Sequence, residues 1–366
     1  MTMTLLRHLV AAIVAGAVIW ALSVQLNAFR DYQMAEIAVY VVAIAGLSVL
    51  IGLSGQISIG NGAFMAVGAY AAALLMLHLN WPVWAVFPAS AAIAAGAGGV
   101  VGVAAARLSG PYLAGATLLL AVAIPSLATR FPGVFGGDQG LSLTVTAPAR
   151  LGATFPTTRW QAWVCSVAAL IALVLLANLG RSRVGRNWRA IRDDPVAAAL
   201  TGLNVARLRV LAFVVSAACA GLAGAMLAYT TTLVSPGSFT LSLSIALLTG
   251  AVLGGLGSLA GALWGALVIV LVPTYVTDVA TSHGLSTTVA ANLPIAAYGV
   301  VLIAVMILFP DGIQGGLRRL AGPLLPANLT RLASPDRQQP PGELSDGLTS
   351  PDRRQPVGEH QEEGTT

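Results

Sequence analysis

Residues 37–70 read IAVYVVAIAGLSVLIGLSGQISIGNGAFMAVGAY, and this stretch decides the fold class. It opens on an apolar run, breaks at a cluster of glycines and small polar residues, and continues into a second apolar run. A helix crosses a bilayer with about 20 mostly apolar residues. No charged residue occurs from Ile37 to Ala106, or from Val210 to Thr277. Such long uncharged stretches predict an all-α integral membrane protein, because a helix satisfies its own backbone groups in lipid.

The composition excludes an ordinary soluble domain. Of the 366 residues, 57% are hydrophobic and only 9% are charged, whereas soluble domains carry roughly 25% charged residues. Lipid must therefore be the solvent for much of the surface. The two cysteines, Cys165 and Cys219, lie in apolar runs, which predicts buried packing. Neither a metal-ligand spacing nor a disulfide framework is present in the sequence.

All 19 basic residues are arginine, since the sequence contains no lysine. An ordinary Walker A loop needs a lysine to hold the β- and γ-phosphates of a nucleotide. The chain therefore cannot carry such a loop, and any ATP that drives it must be hydrolysed by another chain. We expect no directly bound cofactor and no metal site.

The hydropathy pattern predicts ten membrane spans within a permease domain of residues 1–320. The division near Gly254–Gly261 is the least marked, so nine spans is the alternative. Residues from Arg7 to about Ser23 also resemble a signal peptide, and we favour a retained first span. The predicted spans lie near residues 8–26, 35–53, 60–79, 83–106, 112–130, 160–179, 208–230, 241–256, 259–277 and 289–309.

Arginine placement predicts the orientation, because cytoplasmic loops are enriched in basic residues. With the N-terminus inside, eleven arginines before the tail fall on the cytoplasmic side and four fall outside. We therefore expect a multi-pass protein of a bacterial plasma (inner) membrane with both termini cytoplasmic. Residues 321–366 are rich in Pro, Gln, Asp and Arg, and repeat SPDRQQPPGE as SPDRRQPVGE. That composition predicts a disordered cytoplasmic tail.

Seven arginines lie between Arg181 and Arg209, in the loop after the sixth predicted span. Asp194 followed by Pro195 predicts a helix N-cap and first turn, and Gly202 predicts the end of that helix. The loop thus predicts a helix–turn–helix, with its coupling segment at about residues 181–207, whose short apolar ridge docks into a soluble partner. The alternative is an ordinary positively charged loop. The candidate ATPase-coupling residues are Arg186, Trp188, Arg189, Ile191, Arg192, Asp193 and Asp194.

The glycine-rich break at Gly52–Tyr70 supplies flexible backbone and neutral hydrogen-bonding groups at membrane depth. Irregular backbone there is tolerated only where protein or a water-filled cavity covers it, and broken helices often lie beside a transport path. Tight packing of small residues is an equal alternative. The candidate pathway residues are Ser54, Gln56, Ser58 and Asn61.

Two further segments carry weaker indications. Gly257, Gly261 and Gly265 are spaced by four residues, which predicts a small-residue ridge on one helix face for close helix packing. The long outer loop from Phe131 to Trp160 is either a docking surface for an external solute-delivering partner or a plain solvated loop.

Catalysis finds little support, and we predict no catalytic residues. The string Gly52-Leu-Ser-Gly55 matches intramembrane serine proteases, but such an enzyme also needs a histidine against the serine. His78 lies at a predicted span end and His283 lies in a loop. An intramembrane hydrolase and a stand-alone secondary transporter or channel are the alternatives to a transport protein that a separate ATPase chain drives.

Several segments of the chain resemble those of a known family, the LivM-type membrane permease subunits of branched-chain amino acid ABC importers. The resemblance extends over most of residues 35–318. In that family His or Gln commonly stands where this chain has Asn61, and the repetitive tail is not part of the pattern. The segments that carry the resemblance are Gly52–Tyr70, Gly110–Ala114, Gly136–Leu141, Gly185–Pro195, Ala212–Gly224, Gly254–Gly257 and Phe309–Ile313.

The resemblance implies an ABC importer permease of the many-span (type II-like) architecture, with about ten spans per subunit. It also implies partners, which are a LivH-type sister permease, two cytoplasmic ATPase subunits and an extracytoplasmic solute-binding protein. Besides membrane lipid no other class of partner is implied, and nucleic acid is not expected. Branched-chain amino acids are the implied solutes, and related permeases take urea, short amides or other amino acids.

Overall fold

The computed structural model describes residues 27–106, 111–148, 155–283, 287–309 and 312–321, and positions 14, 16, 17, 21 and 23. Within these ranges the chain is helical apart from loops, turns and one pair of very short strands. The helices are α1 (Ala28–Ser54), α2 (Asn61–Leu79), α3 (Val83–Ala105), α4 (Pro111–Arg130), α5 (Pro132–Phe135), α6 (Thr157–Arg181), α7 (Arg183–Asp193), α8 (Pro195–Leu200), α9 (Val205–Thr231), α10 (Leu241–Gly254), α11 (Leu259–Ser282), α12 (Thr287–Leu308) and α13 (Gly312–Ala321). The strands are β1 (Leu141–Ser142) and β2 (Leu233–Val234).

Nine helical segments of the described residues are long and apolar enough to cross a membrane. They confirm the all-α membrane fold and nine of the ten predicted spans. The division between the seventh and eighth of these segments is real, because α10 ends at Gly254 and α11 begins at Leu259. The predicted first span at residues 8–26 lies almost entirely outside the described residues, and so does the predicted tail beyond residue 321.

Helices α1 and α9 form the centre of the bundle. In an 18-residue apolar stretch of α1, 78% of the residues are buried, and in the equivalent stretch of α9, 67% are buried. Helix α9 packs along α1, α2 and α3, and α1 also packs against α6 and α11. Lipid is as apolar as leucine, so helices in a membrane gain little from apolar burial and associate through close packing of small residues.

Glycines allow this close approach at the centre. A Cβ added to Gly224 of α9 would lie 1.9 Å from the backbone oxygen of Met65 in α2. One turn away, a Cβ added to Gly68 of α2 would lie 2.1 Å from the backbone oxygen of Gly221 in α9. The two helix backbones are therefore in contact, and only hydrogen fits between them.

The predicted glycine ridge is corrected in one place. Gly257 has a φ of 79° and lies in the turn before α11, so it cannot share a helix face with the other two glycines. It packs instead beside Gly52. Gly261 and Gly265 do lie on α11, where added Cβ atoms would meet the backbone oxygens of Gly254 and Gly250 in α10. The prediction of one shared helix face was wrong for Gly257, because the chain turns between Gly254 and Leu259.

The two ends of the bundle differ in character. At one end, called here the arginine end, α6 finishes at Arg181, α7 and α8 follow, and α9 begins at Val205. At the other, called the strand end, β1 after α5 pairs antiparallel with β2 after α9, with Leu141 opposite Val234. The ring of Tyr70 packs there against Phe135 of α5, with the centroids 5.1 Å apart.

We predict that Gly224→Ala lowers the free energy of unfolding by about 1–3 kcal/mol, because the new methyl group forces α9 away from the α2 backbone. Thermal unfolding of the purified chain measures the effect. Gly96→Ala is the matched control, since a Cβ at Gly96 of α3 has nothing within 4 Å and alanine favours helix. Equal stability of the two variants would refute the proposed packing.

Candidate functional site

The arginine end carries two short helices whose starts are capped by side chains. The Ser182 hydroxyl accepts hydrogen bonds from the backbone N–H groups of Val184 and Gly185 at the start of α7. Asp194 Oδ1 accepts from the N–H groups of Val196 (2.8 Å) and Ala197 (3.0 Å) at the start of α8. Pro195 is the first residue of α8, as predicted from the sequence. These caps fix the chain reversal between the helices.

The apolar side of α7 faces the bundle. Trp188 is fully buried and Ile191 is 3% exposed. The Trp188 indole N–H also donates to the backbone oxygen of Leu208 in α9 at 2.9 Å. The expectation that this ridge docks into a soluble partner is therefore wrong for these two side chains. Helical spacing shows that they share a face, but it does not show whether that face is turned inward.

Arg192 joins α7 to the end of α1. Its Nη1 donates to the backbone oxygen of Gly52 at 2.6 Å, and its Nε and Nη2 donate to Asp193 Oδ1 at 3.0 and 2.8 Å. The last carbonyls of a helix lack partners within the helix, and a cation near them is favourable. Gly55, whose φ is 72°, ends α1 beside the Arg192 side chain.

Two further arginines join α7 to the end of α6. Arg189 Nη2 donates to the backbone oxygen of Gly180 at 2.9 Å, and Arg186 Nη1 donates to that of Arg181 at 3.3 Å. Together with Trp188 and Arg192, these contacts fasten α7 to α1, α6 and α9. A displacement of α7 must therefore move the ends of three membrane helices.

Helices α7 and α8 together form a platform at the arginine end of the bundle, and α8 is its outer side. Val196 is 68% exposed and Leu200 is 84% exposed, and a spacing of four residues places them on one face. Asp193 and Asp194 beside them are also exposed. The sequence prediction missed Val196 and Leu200, although their spacing within a capped helix was a signal for them.

The polar residues at the start of the glycine-rich break are buried. Ser54 donates to the backbone oxygen of Leu50 at 2.7 Å. The Gln56 amide donates to the Ser54 hydroxyl at 2.9 Å and to the backbone oxygen of Arg209 in α9 at 3.2 Å. These bonds tie the end of α1 to the start of α9.

The second half of the break is covered by three other helices. The N–H of Ile59 donates to the Thr117 hydroxyl of α4 at 3.0 Å, and that of Gly62 donates to the Ser244 hydroxyl of α10 at 3.1 Å. Ser58 is fully buried, and the Ser216 hydroxyl of α9 donates to Asn61 Oδ1 at 3.3 Å. Gln56 Oε1 and Asn61 Nδ2 have no hydrogen-bond partner among the described residues. A pathway role for these residues stays a prediction.

An ion pair at the strand end has no counterpart in the sequence analysis. Asp31 of α1 is fully buried, and its Oδ2 lies 3.2 Å from Arg159 Nε of α6. The two residues are 128 positions apart, and no spacing rule relates them. The pair holds α1 to α6 at the strand end, opposite the arginine end of the bundle.

The described residues offer no arrangement for hydrolysis or metal binding. Ser54 lies at the arginine end, whereas His78 lies at the far end of α2, about 25 Å along that helix from Asn61. No group of three or more His, Cys, Asp or Glu residues that could hold a metal ion occurs in the described ranges. Both cysteines are buried and unpaired with each other, as expected for packing residues.

The comparisons with known proteins decide the family. Residues 29–310 match the model of the branched-chain amino acid transport system permease component family. The chain belongs to this family. No solved structure matches it.

Curated relatives of two types match the chain. The LivM permease of the high-affinity branched-chain amino acid transport system of Salmonella typhimurium is 32% identical over 71% of this chain and 66% of its own length. The Escherichia coli LivM is 33% identical over 64% of this chain and 60% of its own length. The LivH permease of Salmonella typhimurium is 28% identical over 75% of this chain and 91% of its own length. This chain thus spans slightly under two thirds of the length of the LivM relatives.

We predict that Asp194→Ala frays α8, because two backbone N–H groups lose their acceptor, at a cost of about 1 kcal/mol. Hydrogen–deuterium exchange of the amides in Pro195–Leu200 should become about fivefold faster. Asp194→Asn is the control, since an amide oxygen also caps a helix, and it should exchange at the original rate. Unchanged exchange in the alanine variant would contradict the assigned cap.

Proposed function

We propose that this chain is the membrane-spanning permease subunit of an ATP-driven importer of branched-chain amino acids or similar small polar solutes. Its membership of the permease component family carries the proposal. The platform of α7 and α8 supports it, because an exposed apolar tip joined firmly to three spans suits force transfer from a soluble partner. The absence of lysine agrees, since ATP hydrolysis must then occur on other chains.

The proposed assembly has five components. A LivH-type sister permease completes the path with this chain, two cytoplasmic ATPase subunits bind the platforms, and a solute-binding protein delivers the solute from outside. The match to both LivM and LivH relatives supports a pair of related permeases. The chain itself binds no cofactor, and the assembly lies in a bacterial inner membrane.

The arginine end is proposed to face the cytoplasm. Seven described arginines between Arg181 and Arg209 lie there, whereas Arg30, Arg130 and Arg159 lie toward the strand end. Cytoplasmic loops carry such an excess of basic residues. This orientation puts α8 where a cytoplasmic ATPase can reach it.

The mechanism is alternating access. Closure of the ATPase dimer displaces Arg186–Leu200, and Trp188 and Arg192 pass that displacement to the ends of α9 and α1. Because α7 is bonded to helix ends rather than to flexible loops, the spans tilt as packed bodies and the two permeases rock at their interface. Nucleotide favours one state only through contacts that differ between the states.

Reconstitution tests the function. The full chain, its sister permease, the ATPases and the binding protein in liposomes should take up radiolabelled leucine only with ATP. Calorimetry on the binding protein identifies the solute, because selectivity is proposed to reside largely there. Leucine uptake by the purified chain without ATPases would instead establish a stand-alone transporter or channel.

We predict that a Val196→Ser, Leu200→Ser double variant loses ATPase binding at least tenfold, because the apolar contact at the centre of the interface disappears. Pull-down of the ATPases by the purified permease pair measures the loss. The melting temperature should not change, since both side chains are exposed. Undiminished ATPase binding would show that α8 is not the contact.

Leu79→Ser provides the matched control for this experiment. Leu79 is 53% exposed and ends α2, at the opposite end of the bundle from α8. The same loss of an exposed apolar side chain there should leave ATPase binding unchanged.

A further inference from the structure

A wide groove opens between the strand-end portions of α1 and α11, with Val301 of α12 on its wall. Its volume is about 870 Å³. The helices α1 and α11 pack closely at the arginine end, where Gly52 lies beside Gly257 of the turn before α11. Toward the strand end they enclose this groove instead. None of the importer residues discussed above lines it.

The polarity of the groove changes along its length. On α1 the lining runs from Ile37 through Gln33 to Arg30, and on α11 it runs from Leu271 through Thr274 to Asp278. The two helices are antiparallel, so both charged residues lie at the strand-end mouth and both apolar residues lie deeper. A run of seven residues spans about 10 Å of helix. The lining therefore changes from apolar at depth to charged at the mouth within about 10 Å.

The mouth has the composition of a membrane–water interface. Tyr275 is 72% exposed, and exposed aromatic residues of membrane proteins are enriched at the headgroup level. Arg30 and Asp278 are exposed as well, and neither has an ion-pair partner among the described residues. One positive and one negative group, neither paired with another described residue, thus lie at the mouth of the groove.

We propose that this groove binds a zwitterionic phospholipid of the outer leaflet, with its phosphate on Arg30 and its ammonium group on Asp278. The acyl chains lie deeper, on Ile37, Leu271 and Val272. Charge complementarity selects the headgroup, because an anionic lipid would meet the carboxylate of Asp278 without a compensating ammonium group. A free amino acid carries the same two charges, but it leaves most of an 870 Å³ groove unfilled. A bound lipid would fill the gap between α1 and α11.

Lipid retention by the purified full-length chain tests the proposal. The chain is taken from nanodiscs of equimolar phosphatidylethanolamine and phosphatidylglycerol into detergent, and native mass spectrometry counts the bound lipids. The wild-type chain should retain phosphatidylethanolamine over phosphatidylglycerol by about tenfold. Equal retention, or a preference for phosphatidylglycerol, overturns the headgroup assignment.

The variants separate headgroup charge from groove shape. Asp278→Asn should reverse the preference toward phosphatidylglycerol, because only the positive group remains. Arg30→Gln should lower retention of both lipids about tenfold. Val272→Trp should lower retention of both by filling the groove. Arg130→Gln and Asp138→Asn are the controls, since they remove the same charges at exposed sites outside the groove, and they should retain lipid as wild type does.

Two results would replace the lipid with another occupant. If calorimetry detects leucine binding to the wild-type chain and Arg30→Gln abolishes that binding, the groove is a solute site. Crosslinking from a photoreactive residue at position 275 to the sister permease would make it a subunit interface. Either result overturns the lipid proposal without bearing on ATP-driven uptake, which is measured separately.

Discussion

Every backbone polar group at membrane depth needs a hydrogen-bond partner within the protein, and this constraint shapes the centre of the molecule. It is most demanding between Ser54 and Asn61, where α1 stops and α2 has not begun. The chain meets the demand with the hydroxyl groups of Thr117 in α4 and Ser244 in α10, and with the guanidinium of Arg192. A break that an isolated helix pair could not sustain in lipid is thereby stabilised by the surrounding bundle.

The same contacts place the break next to the proposed coupling platform. Arg192 bonds to Gly52 just before the break, and Gln56 within the break bonds to the start of α9. The arginine end is therefore one hydrogen-bonded assembly of helix ends. Its exposed part is α8, and its buried part reaches the polar residues Ser58 and Asn61. Motion imposed on α8 would therefore arrive first at the irregular backbone between α1 and α2.

Local signals in the sequence were sufficient for much of this fold. Uncharged stretches predicted the described spans, because lipid tolerates few charges. The pair Asp194-Pro195 predicted the start of α8, because helix capping involves only neighbouring residues. Contacts between distant parts of the chain could not be predicted from these local signals. The pair of Asp31 and Arg159 joins residues 128 positions apart. The inward direction of Trp188 depends on where α9 lies, and the turn at Gly257 depends on how α10 meets α11.

The strand pair imposes a geometry on any movement of α9. Strand β2 follows α9 directly and is paired to β1, which follows α4 and α5. The strand end of α9 is thus anchored to another part of the chain, while its first turn is bonded to Trp188 of the platform. With 27 residues, α9 is about 40 Å long. It is therefore a lever with its fulcrum at the strand end, so a push on α8 produces its greatest swing at the arginine end.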